Sequence, residues 1–201
     1  MDSKHYFDFI IKMQSIAKIG LKFTTDPYAK ENYEEINSLS MAMLEDFTKV
    51  KFDRPNYFER NVYPTPNISV RTVIRNERGE ILFVRESKDN AYSLPGGWCD
   101  LYDSPQTAAK NEVSQEAGVE CSIKRLIAVL NHTPFKNDKS IPEYVIVFEG
   151  VVEGKFHSHC HETNDVGFFS RKNLPMISRK NSLVELNRIL DAIEQGTTLF
   201  D

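Results

Sequence analysis

The segment Gly97-Trp-Cys-Asp-Leu-Tyr-Asp103-Ser-Pro-Gln-Thr-Ala-Ala-Lys-Asn111-Glu112-Val-Ser-Gln115-Glu116-Ala-Gly118-Val119 decides the fold of this chain. It predicts a helix that follows a glycine turn, begins at an N-cap serine and a first-turn proline, and ends at Gly118. Glu112 and Glu116 are four residues apart, so we expect both carboxylates on one face of that helix. Paired carboxylates beside a glycine turn offer the oxygen ligands that hard divalent cations prefer.

Composition bounds the class of protein. With 201 residues, 40% hydrophobic and 27% charged, the chain resembles an ordinary globular protein. A net charge of −4 argues against a broad nucleic-acid-binding surface. No apolar run approaches the ~20 residues of a membrane span, and the N-terminus does not resemble a signal peptide. The odd number of cysteines favours reduced thiols, so we expect a cytoplasmic location.

The first 50 residues are predicted to be helical, with helices over residues 4–20 and 27–48. Their apolar stripes are Phe7, Ile10, Ile11, Ala17 and Leu21 in the first helix, and Tyr33, Ile36, Leu39, Met43, Leu44 and Phe47 in the second. Two helices cannot bury both stripes alone, so they must pack on the rest of the chain or on a second copy. We favour a homodimer through these helices. Residues 51–66 contain three prolines and are predicted to be an extended linker.

From residue 67 onward the pattern predicts strands mixed with two helices. A hairpin turn at residues 76–79 would join strands over residues 69–74 and 80–85. Further strands are predicted over residues 121–130, 144–148 and 165–169. Ser182 and Glu185 predict a capping box at the start of the last helix. The inner face of that helix would consist of Leu183, Leu186, Leu190 and Ile193.

The glycine–helix segment resembles the Nudix box, G-x5-E-x7-R-E-U-x-E-E-x-G-U, in which U is aliphatic. Six of the nine defined positions match, namely Gly97, Glu112, Val113, Glu116, Gly118 and Val119. Asp103, Asn111 and Gln115 depart from the pattern. The resemblance implies an α/β (α+β) fold: a Nudix α/β/α sandwich with a mixed sheet over residues 67–201, beside a small helical region over residues 1–50.

The whole layout is similar to bacterial Nudix hydrolases that carry a two-helix N-terminal extension, a group that includes a CDP-choline pyrophosphatase that also trims RNA. The matching segments are Tyr63-Pro-Thr65-Pro66, Leu94-Pro-Gly-Gly-Trp-Cys-Asp100 and Glu162-Thr163. The resemblance implies a magnesium- or manganese-dependent pyrophosphohydrolase. Its substrate would be a small nucleotide, a nucleoside diphosphate linked to X such as CDP-choline or ADP-ribose, cleaved to a nucleoside monophosphate and phospho-X.

The resemblance also assigns roles to residues. The predicted metal ligands are Glu112, Gln115, Glu116, Glu162 and the carbonyl group of Gly96. The predicted catalytic residues are Glu112, Glu116 and Glu162, and the predicted substrate-binding residues are Arg71, Arg85, Trp98 and Asp100. A guanidinium matches phosphate in a bidentate manner, which makes Arg85 the candidate for a phosphate oxygen.

The departures from the box bear on activity. Gln115 supplies an oxygen without the charge of a carboxylate, which would weaken metal binding. Asn111 removes an arginine that usually braces a glutamate. A catalytically silent nucleotide-sensing protein is therefore a second hypothesis, and RNA end-processing, which needs a basic groove, is a third. The run from His157 to His161 predicts a polar loop at the substrate mouth in preference to a zinc site.

Overall fold

The computed structural model describes residues 3–48, 66–132, 143–158 and 162–201. The chain divides into two compact units, Met1–Pro64 and Thr65–Asp201. Within the described ranges, no helix combines the length and the apolar character needed to cross a membrane. The predicted linker over residues 51–66 lies outside the described residues apart from Pro66, so it stays a prediction.

In the described part of the N-terminal unit, residues 3–48, two helices pack against each other, α1 (Ser3–Phe23) and α2 (Pro27–Thr48). Both predicted helices are present. The N-cap of α2 is made as expected, because Oδ1 of Asp26 accepts a hydrogen bond of 3.0 Å from the backbone N–H of Tyr28. Gly20 lies inside α1, where a Cβ atom would stand only 2.4 Å from the ring of Tyr33. Glycine at this position therefore permits a close approach of the two helices.

The contact between α1 and α2 is partly polar. The buried side chain of Gln14 donates to Oδ1 of Asn37 at 2.5 Å and accepts from the hydroxyl group of Ser40 at 2.9 Å. Among the predicted stripe residues whose side chains are described, Ile10, Ala17 and Leu44 are buried, whereas Leu39, Met43 and Phe47 are exposed. A second set on α1 is also exposed and was not predicted: Phe9, Ile16, Ile19 and Phe23. The helices thus carry two apolar faces, one buried between them and one exposed. Each predicted stripe combined residues from both faces.

In its described residues, the second unit contains seven strands and two α-helices. The strands are β1 (Asn67–Ile74), β2 (Ile81–Glu86), β3 (Tyr92–Ser93), β4 (Glu120–Asn131), β5 (Glu143–Glu153), β6 (Thr163–Phe169) and β7 (Leu199–Phe200). The helices are α3 (Pro105–Glu112), which continues as one turn of π-helix over Val113–Ala117, and α4 (Leu183–Glu194). A short 3-10 helix covers Arg171–Asn173.

The strands form two sheets. The first has the order β1-β5-β4-β7 and is mixed, since β1 and β5 are parallel, β4 and β5 antiparallel, and β4 and β7 parallel. The second is antiparallel and has the order β3-β2-β6. The predicted hairpin is wrong in one respect. The turn exists, with Asn76 N–H donating to the carbonyl of Glu80 at 3.0 Å, but β1 and β2 enter different sheets because β1 pairs along its length with β5.

The two helices cover opposite faces of β1. Val70 packs with Ala108 and Ala109 of α3, while Val73 packs with Leu186 and Ile189 of α4. Side chains alternate between faces along a strand, so α3 and α4 flank the sheet from its two sides. This arrangement confirms the predicted α/β/α sandwich.

The start of α4 differs from the prediction. Ser182 is the N-cap residue, but its side chain makes no capping hydrogen bond. Glu185 instead is buried, with its carboxylate 2.8 Å from Nδ1 of His132. Of the predicted inner-face residues, Leu186, Leu190 and Ile193 are buried and only Leu183 is exposed, at 52%; Ile189 is buried in addition. Glu185 therefore pairs with His132, a residue distant in sequence, and not with the start of its own helix as the capping box predicts.

Candidate active site

The helix that carries the acid pair begins as the sequence predicts. The hydroxyl group of Ser104 accepts a hydrogen bond from the N–H of Thr107 at 3.1 Å, and Pro105 occupies the first turn. Gly118 ends the helix in the left-handed conformation, with φ 63°. The prediction of one regular α-helix is wrong at its end, because residues 113–117 widen into a π-turn. Such a turn is often found at functional sites.

The glycine loop before this helix lies along β1. The N–H groups of Thr72 and Val70 donate to the carbonyls of Pro95 and Gly97 at 3.0 and 2.8 Å, the carbonyls on either side of Gly96. A Cβ atom on Gly96 would stand 2.1 Å from the carbonyl oxygen of Val70, and its φ is 152°. Glycine is therefore required here by close backbone contact.

The loop also touches both predicted catalytic acids. The N–H of Gly96 donates to Oε2 of Glu116 at 2.7 Å. A Cβ atom on Gly97 would stand 2.4 Å from Oε1 of Glu112. The two glycines thus bring backbone up against two carboxylates that project from the same side of the helix. The predicted juxtaposition of Gly96, Glu112 and Glu116 is present in the structure.

The two acids are held in an environment that disfavours their charge. Burial, followed by the neighbouring carboxylate of Glu116, raises the pKa of Glu112 to about 7. Burial also raises the pKa of Glu116, although Lys180 and the Gly96 N–H oppose this effect. Adjacent carboxylates with raised pKa values, one half-buried and one buried, indicate a site that is completed by positive charge.

Lys180 is a residue of this site that sequence reasoning missed. Its Nζ atom lies 2.6 Å from Oε1 of Glu116 and 3.0 Å from Oε1 of Glu86. Glu86 also accepts a hydrogen bond of 2.5 Å from the hydroxyl group of Ser93. Lys180 lies 64 residues after Glu116, in a turn that matches no sequence motif. No local sequence pattern could therefore have identified Lys180 as a residue of this site.

Arg71 reaches the same site from β1 and is buried. Its Nη1 donates to the carbonyl of Val70 at 2.6 Å, while its Nε has no hydrogen-bond partner among the described residues. Burial lowers the pKa of the guanidinium, and the carboxylates of Glu116, Glu112 and Glu185 oppose that effect. A buried donor without a partner is uncommon and is consistent with a ligand group at this point.

Glu162 lies at the rim of the acid pair. It is exposed, and its charge contributes to the raised pKa of Glu112. Two backbone contacts fix the segment: the carbonyl of Glu162 accepts from the N–H of Ser87 at 2.9 Å, and the hydroxyl group of Thr163 donates to the carbonyl of Glu116 at 2.7 Å. The structure therefore places Glu162 near the predicted catalytic acids.

The departures from the box have different consequences. Nδ2 of Asn111 donates to Oδ2 of Asp103 at 3.2 Å, so the two altered positions pair with each other and replace an ion pair by an amide–carboxylate contact. Gln115 lies in the π-turn with its side chain exposed. The contact between positions 103 and 111 is thus kept as a weaker hydrogen bond. The charge that is missing at Gln115, by contrast, is not replaced by another charge at that position.

The remaining predicted substrate-binding residues are Arg85 on β2 and Trp98 and Asp100 on the loop before α3. Nε of Arg85 donates to Oδ1 of Asn164 at 2.6 Å, which ties β2 to β6. Trp98 and Asp100 are exposed on the loop that leads to α3. Between them, burial and then the charge of Glu112 raise the pKa of Cys99 to about 11, so its thiol is uncharged. Tyr102 is exposed with φ 72°, a strained conformation for a non-glycine residue.

The donor set fits a magnesium ion that takes two protein carboxylates. Among the described residues, no three His, Cys, Asp or Glu side chains form a group able to hold a metal ion by themselves. Magnesium commonly takes one or two protein carboxylates and completes its shell with water and substrate phosphate. Glu112 and Glu116, with raised pKa values, supply that number of carboxylates.

The histidine run is described only in part. The N–H of His157 donates to the carbonyl of Gly118 at 2.6 Å, and its Nε2 lies 3.8 Å from Oε1 of Glu120. His157 also lines an open cavity of about 440 Å³ with Phe156, Phe168 and Asn164. Residues 159–161 lie outside the described ranges, so the prediction of a polar loop stays a prediction.

Comparisons with known proteins cover both units. The profile of the NUDIX domain matches residues 65–186, and that of the UDP-X-like N-terminal oligomerisation domain matches residues 4–56. YjhB of Bacillus subtilis, named provisionally as an ADP-ribose pyrophosphatase, is 31% identical over 197 residues, which are 94% of each chain. The solved structure of a UDP-X diphosphatase is similar with a TM-score of 0.66 and 25% identity over 100% of both chains. That of an ADP-ribose pyrophosphatase from Streptococcus suis has a TM-score of 0.59 and 32% identity over 68% of this chain and 100% of the other. The domain profile spans every residue of the site described above.

Proposed function

Because this chain belongs to the NUDIX family, and is thus a Nudix hydrolase, we propose that it cleaves a nucleoside diphosphate linked to X in a magnesium-dependent reaction. The products are a nucleoside monophosphate and phospho-X. The names of the relatives, UDP-X diphosphatase and ADP-ribose pyrophosphatase, fall within this substrate class. ADP-ribose is therefore the first compound to test; CDP-choline rests on the sequence resemblance alone.

The observation that carries the proposal is the acid pair, half-buried Glu112 and buried Glu116, against the glycine loop. Glu112 and Glu116 meet the backbone of Gly97 and Gly96, and burial raises both pKa values. Magnesium, when bound, neutralises phosphate oxygens and activates water. The two glutamates hold the ion, and Glu162 at the rim serves as a further ligand or proton acceptor. Gln115 would add an uncharged oxygen.

The basic residues are proposed to bind the substrate. Arg71 has a buried Nε without a partner among the described residues, which supports contact with a phosphate oxygen. Arg85 lies on β2, and Trp98 and Asp100 lie on the loop before α3. Their roles stay proposals, with Arg85 assigned to phosphate and Trp98 to stacking on the base.

The N-terminal helices are proposed to form a homodimer. The profile over residues 4–56 is that of an oligomerisation domain, and α1 and α2 expose a second apolar face. We keep the predicted division into residues 1–50, 51–66 and 67–201 as part of this proposal. The free thiols of Cys99 and Cys121 support a cytoplasmic location.

The test is a panel of nucleoside diphosphate derivatives assayed for released nucleoside monophosphate, with magnesium, manganese or EDTA. We expect hydrolysis that EDTA abolishes. Glu112→Gln and Glu116→Gln should each reduce kcat/KM by more than ~100-fold, because an amide cannot replace the charge at the ion. Glu77→Gln, an exposed acid in the β1–β2 turn, is the matched control and should act as the natural protein does.

Three outcomes would contradict the proposal. Full activity in both Glu112→Gln and Glu116→Gln would remove the acid pair from the reaction. Tight binding of ADP-ribose by the natural protein without turnover under any metal would instead favour the nucleotide-sensing hypothesis. Release of phosphate from RNA 5′ ends, with no hydrolysis in the panel, would favour the RNA end-processing hypothesis.

A further inference from the structure

Lys180 is held beside the acid pair by a well-anchored turn. The N–H of Ser178 donates to the carbonyl of Tyr92 at 2.8 Å, and its hydroxyl group donates to Oδ2 of Asp89 at 2.7 Å. Oδ1 of Asn181 accepts from the N–H of Leu94 at 3.0 Å. With its backbone fixed on both sides, Lys180 can change its contacts only through its four-carbon side chain.

Both oxygens of Glu116 are engaged. Oε2 accepts from the N–H of Gly96, and Oε1 lies 2.6 Å from the ammonium group of Lys180. A divalent ion bound by Glu116 must take a place beside one of these oxygens. The backbone N–H cannot leave, because the glycine loop is bonded to β1. The ammonium group is the only partner of the two that can move.

Glu86 offers the ammonium group a second position. Its Oε1 already lies 3.0 Å from Nζ of Lys180, so a small rotation of the side chain would keep one ion pair while releasing the other. A lysine ammonium and a divalent cation at one carboxylate oxygen would repel each other strongly in so buried a place. The two cations therefore compete for Oε1 of Glu116.

We propose that Lys180 is a built-in competitor of the metal ion: it occupies Oε1 of Glu116 in the metal-free protein and moves onto Glu86 when a divalent cation binds. This inference rests on the proposed metal dependence of the site. Its consequences are a metal-free site that stays organised and a metal affinity lower than the two carboxylates alone would give.

The test measures metal binding without substrate, with Mn²⁺ as the probe, by electron paramagnetic resonance and calorimetry. Lys180→Met and Lys180→Gln should each bind Mn²⁺ at least ~10-fold more tightly than the natural protein, since the competing charge is gone. Lys180→Arg keeps the charge and should stay within ~3-fold of the natural protein. Lys172→Met, which removes an exposed lysine from the nearby 3-10 helix, should not change the affinity.

A second readout is thermal unfolding. In EDTA, Lys180→Met should unfold at a lower temperature than the natural protein, because Glu116 and Glu86 lose their counter-charge. Saturating Mn²⁺ should remove most of that difference. Should Lys180→Met fail to fold, Lys180→Gln keeps a hydrogen-bond donor at the position and answers the same question.

The outcomes separate this inference from the function on which it rests. Unchanged Mn²⁺ affinity in folded Lys180→Met and Lys180→Gln, with binding by the natural protein, would overturn the competition alone. Weaker binding in both would show that Lys180 assists the ion and would also overturn it. Absence of Mn²⁺ binding in the natural protein and in every variant would overturn the proposed metal dependence as well.

Discussion

The carboxylate of Glu112 occupies space that is available because Gly97 has no side chain. The two residues are 15 apart in the chain, yet a single Cβ atom on Gly97 would stand 2.4 Å from Oε1 and 2.9 Å from Cδ of Glu112. Gly97 does not adopt a left-handed φ, so its backbone would accept alanine. The space beside Gly97 is therefore reserved for the carboxylate.

Gly97→Ala should reduce kcat/KM by about 10- to 100-fold, because it displaces the carboxylate by a distance that matters for positioning. The unfolding temperature should change little. The steady-state rate is measured with the best substrate of the panel. In a Glu112→Gln background the same substitution should cause little further loss, since both changes act on one group. A full, independent loss in that background would contradict this account.

The raised pKa of Glu112 predicts how stability depends on pH in the absence of metal. Burial and the carboxylate of Glu116 raise this pKa to about 7, so the folded protein holds the proton more tightly than the unfolded chain does. Stability is therefore greatest below the ordinary pKa of a glutamate and falls as the pH rises toward 7. In EDTA, we expect the unfolding temperature to fall by at least about 3 °C between about pH 5 and about pH 8.

Calorimetry in EDTA at a series of pH values measures this dependence. Glu112→Gln is the control, and it should show a smaller decline because it cannot ionise. Magnesium should raise the unfolding temperature more at the alkaline end than at the acid end, since it binds the ionised form. A decline of equal size in the natural protein and in Glu112→Gln would assign the effect to other groups.

At the scale of elements, the helix that carries Glu112 begins and ends as its local sequence predicts, but its last turn differs from a regular α-helix. Its start is fixed by Ser104 and Pro105 and its end by Gly118, as local capping rules require. Its last turn is a π-turn, in which Gln115 faces solvent and Glu116 is buried. A charge restored at position 115 would therefore be exposed to solvent, one residue before Glu116.

Gln115→Glu should tighten Mn²⁺ binding by about 3- to 10-fold and raise turnover at low metal concentration, because it adds a negative charge beside the ion. Binding by calorimetry and rates at several metal concentrations measure both effects. Glu120→Gln, just beyond the same helix, serves as a control for general charge. A slower Gln115→Glu enzyme with unchanged metal affinity would show that the amide is fitted to a substrate and would contradict this account.

At the scale of the whole molecule, the N-terminal unit exposes apolar side chains that the packing of α1 against α2 does not bury. Large side chains on α1 and α2 stay exposed, among them Phe9, Ile16 and Phe23 at seven-residue spacing on α1. Burying such a side chain contributes roughly 1.5–3 kcal/mol. An exposed set of this kind marks an interface.

We expect a homodimer of about twice 23.1 kDa at micromolar concentration, measured by sedimentation or light scattering. Ile16→Glu should shift it toward monomer, because a charge in a dimer interface is costly. Val184→Glu, at a similarly exposed apolar residue on α4, should leave the mass unchanged. A natural protein that sediments as a monomer, with Ile16→Glu identical to it, would contradict the dimer.

The sequence by itself determined the four α-helices, the five longer strands and the acid pair, but not the short strands β3 and β7. The caps of the helix that carries the acid pair, the glycine turn and the spacing of Glu112 and Glu116 depend on residues within about four positions of one another, so a local pattern is enough to predict them. The match of six box positions then fixed the family and the α/β/α sandwich. The helix pair at the N-terminus follows from its period in the same way.

Only the tertiary structure decided which distant residues meet. The pairing of β1 with β5, the burial of Glu185 against His132 and the arrival of Lys180 at Glu116 join positions 53 to 76 residues apart. No local rule ranks such partners, because their energies depend on burial and charge that exist only after the sheets and helices have packed. The acids could thus be predicted from the sequence, whereas Lys180, the cation that lies against Glu116, could not.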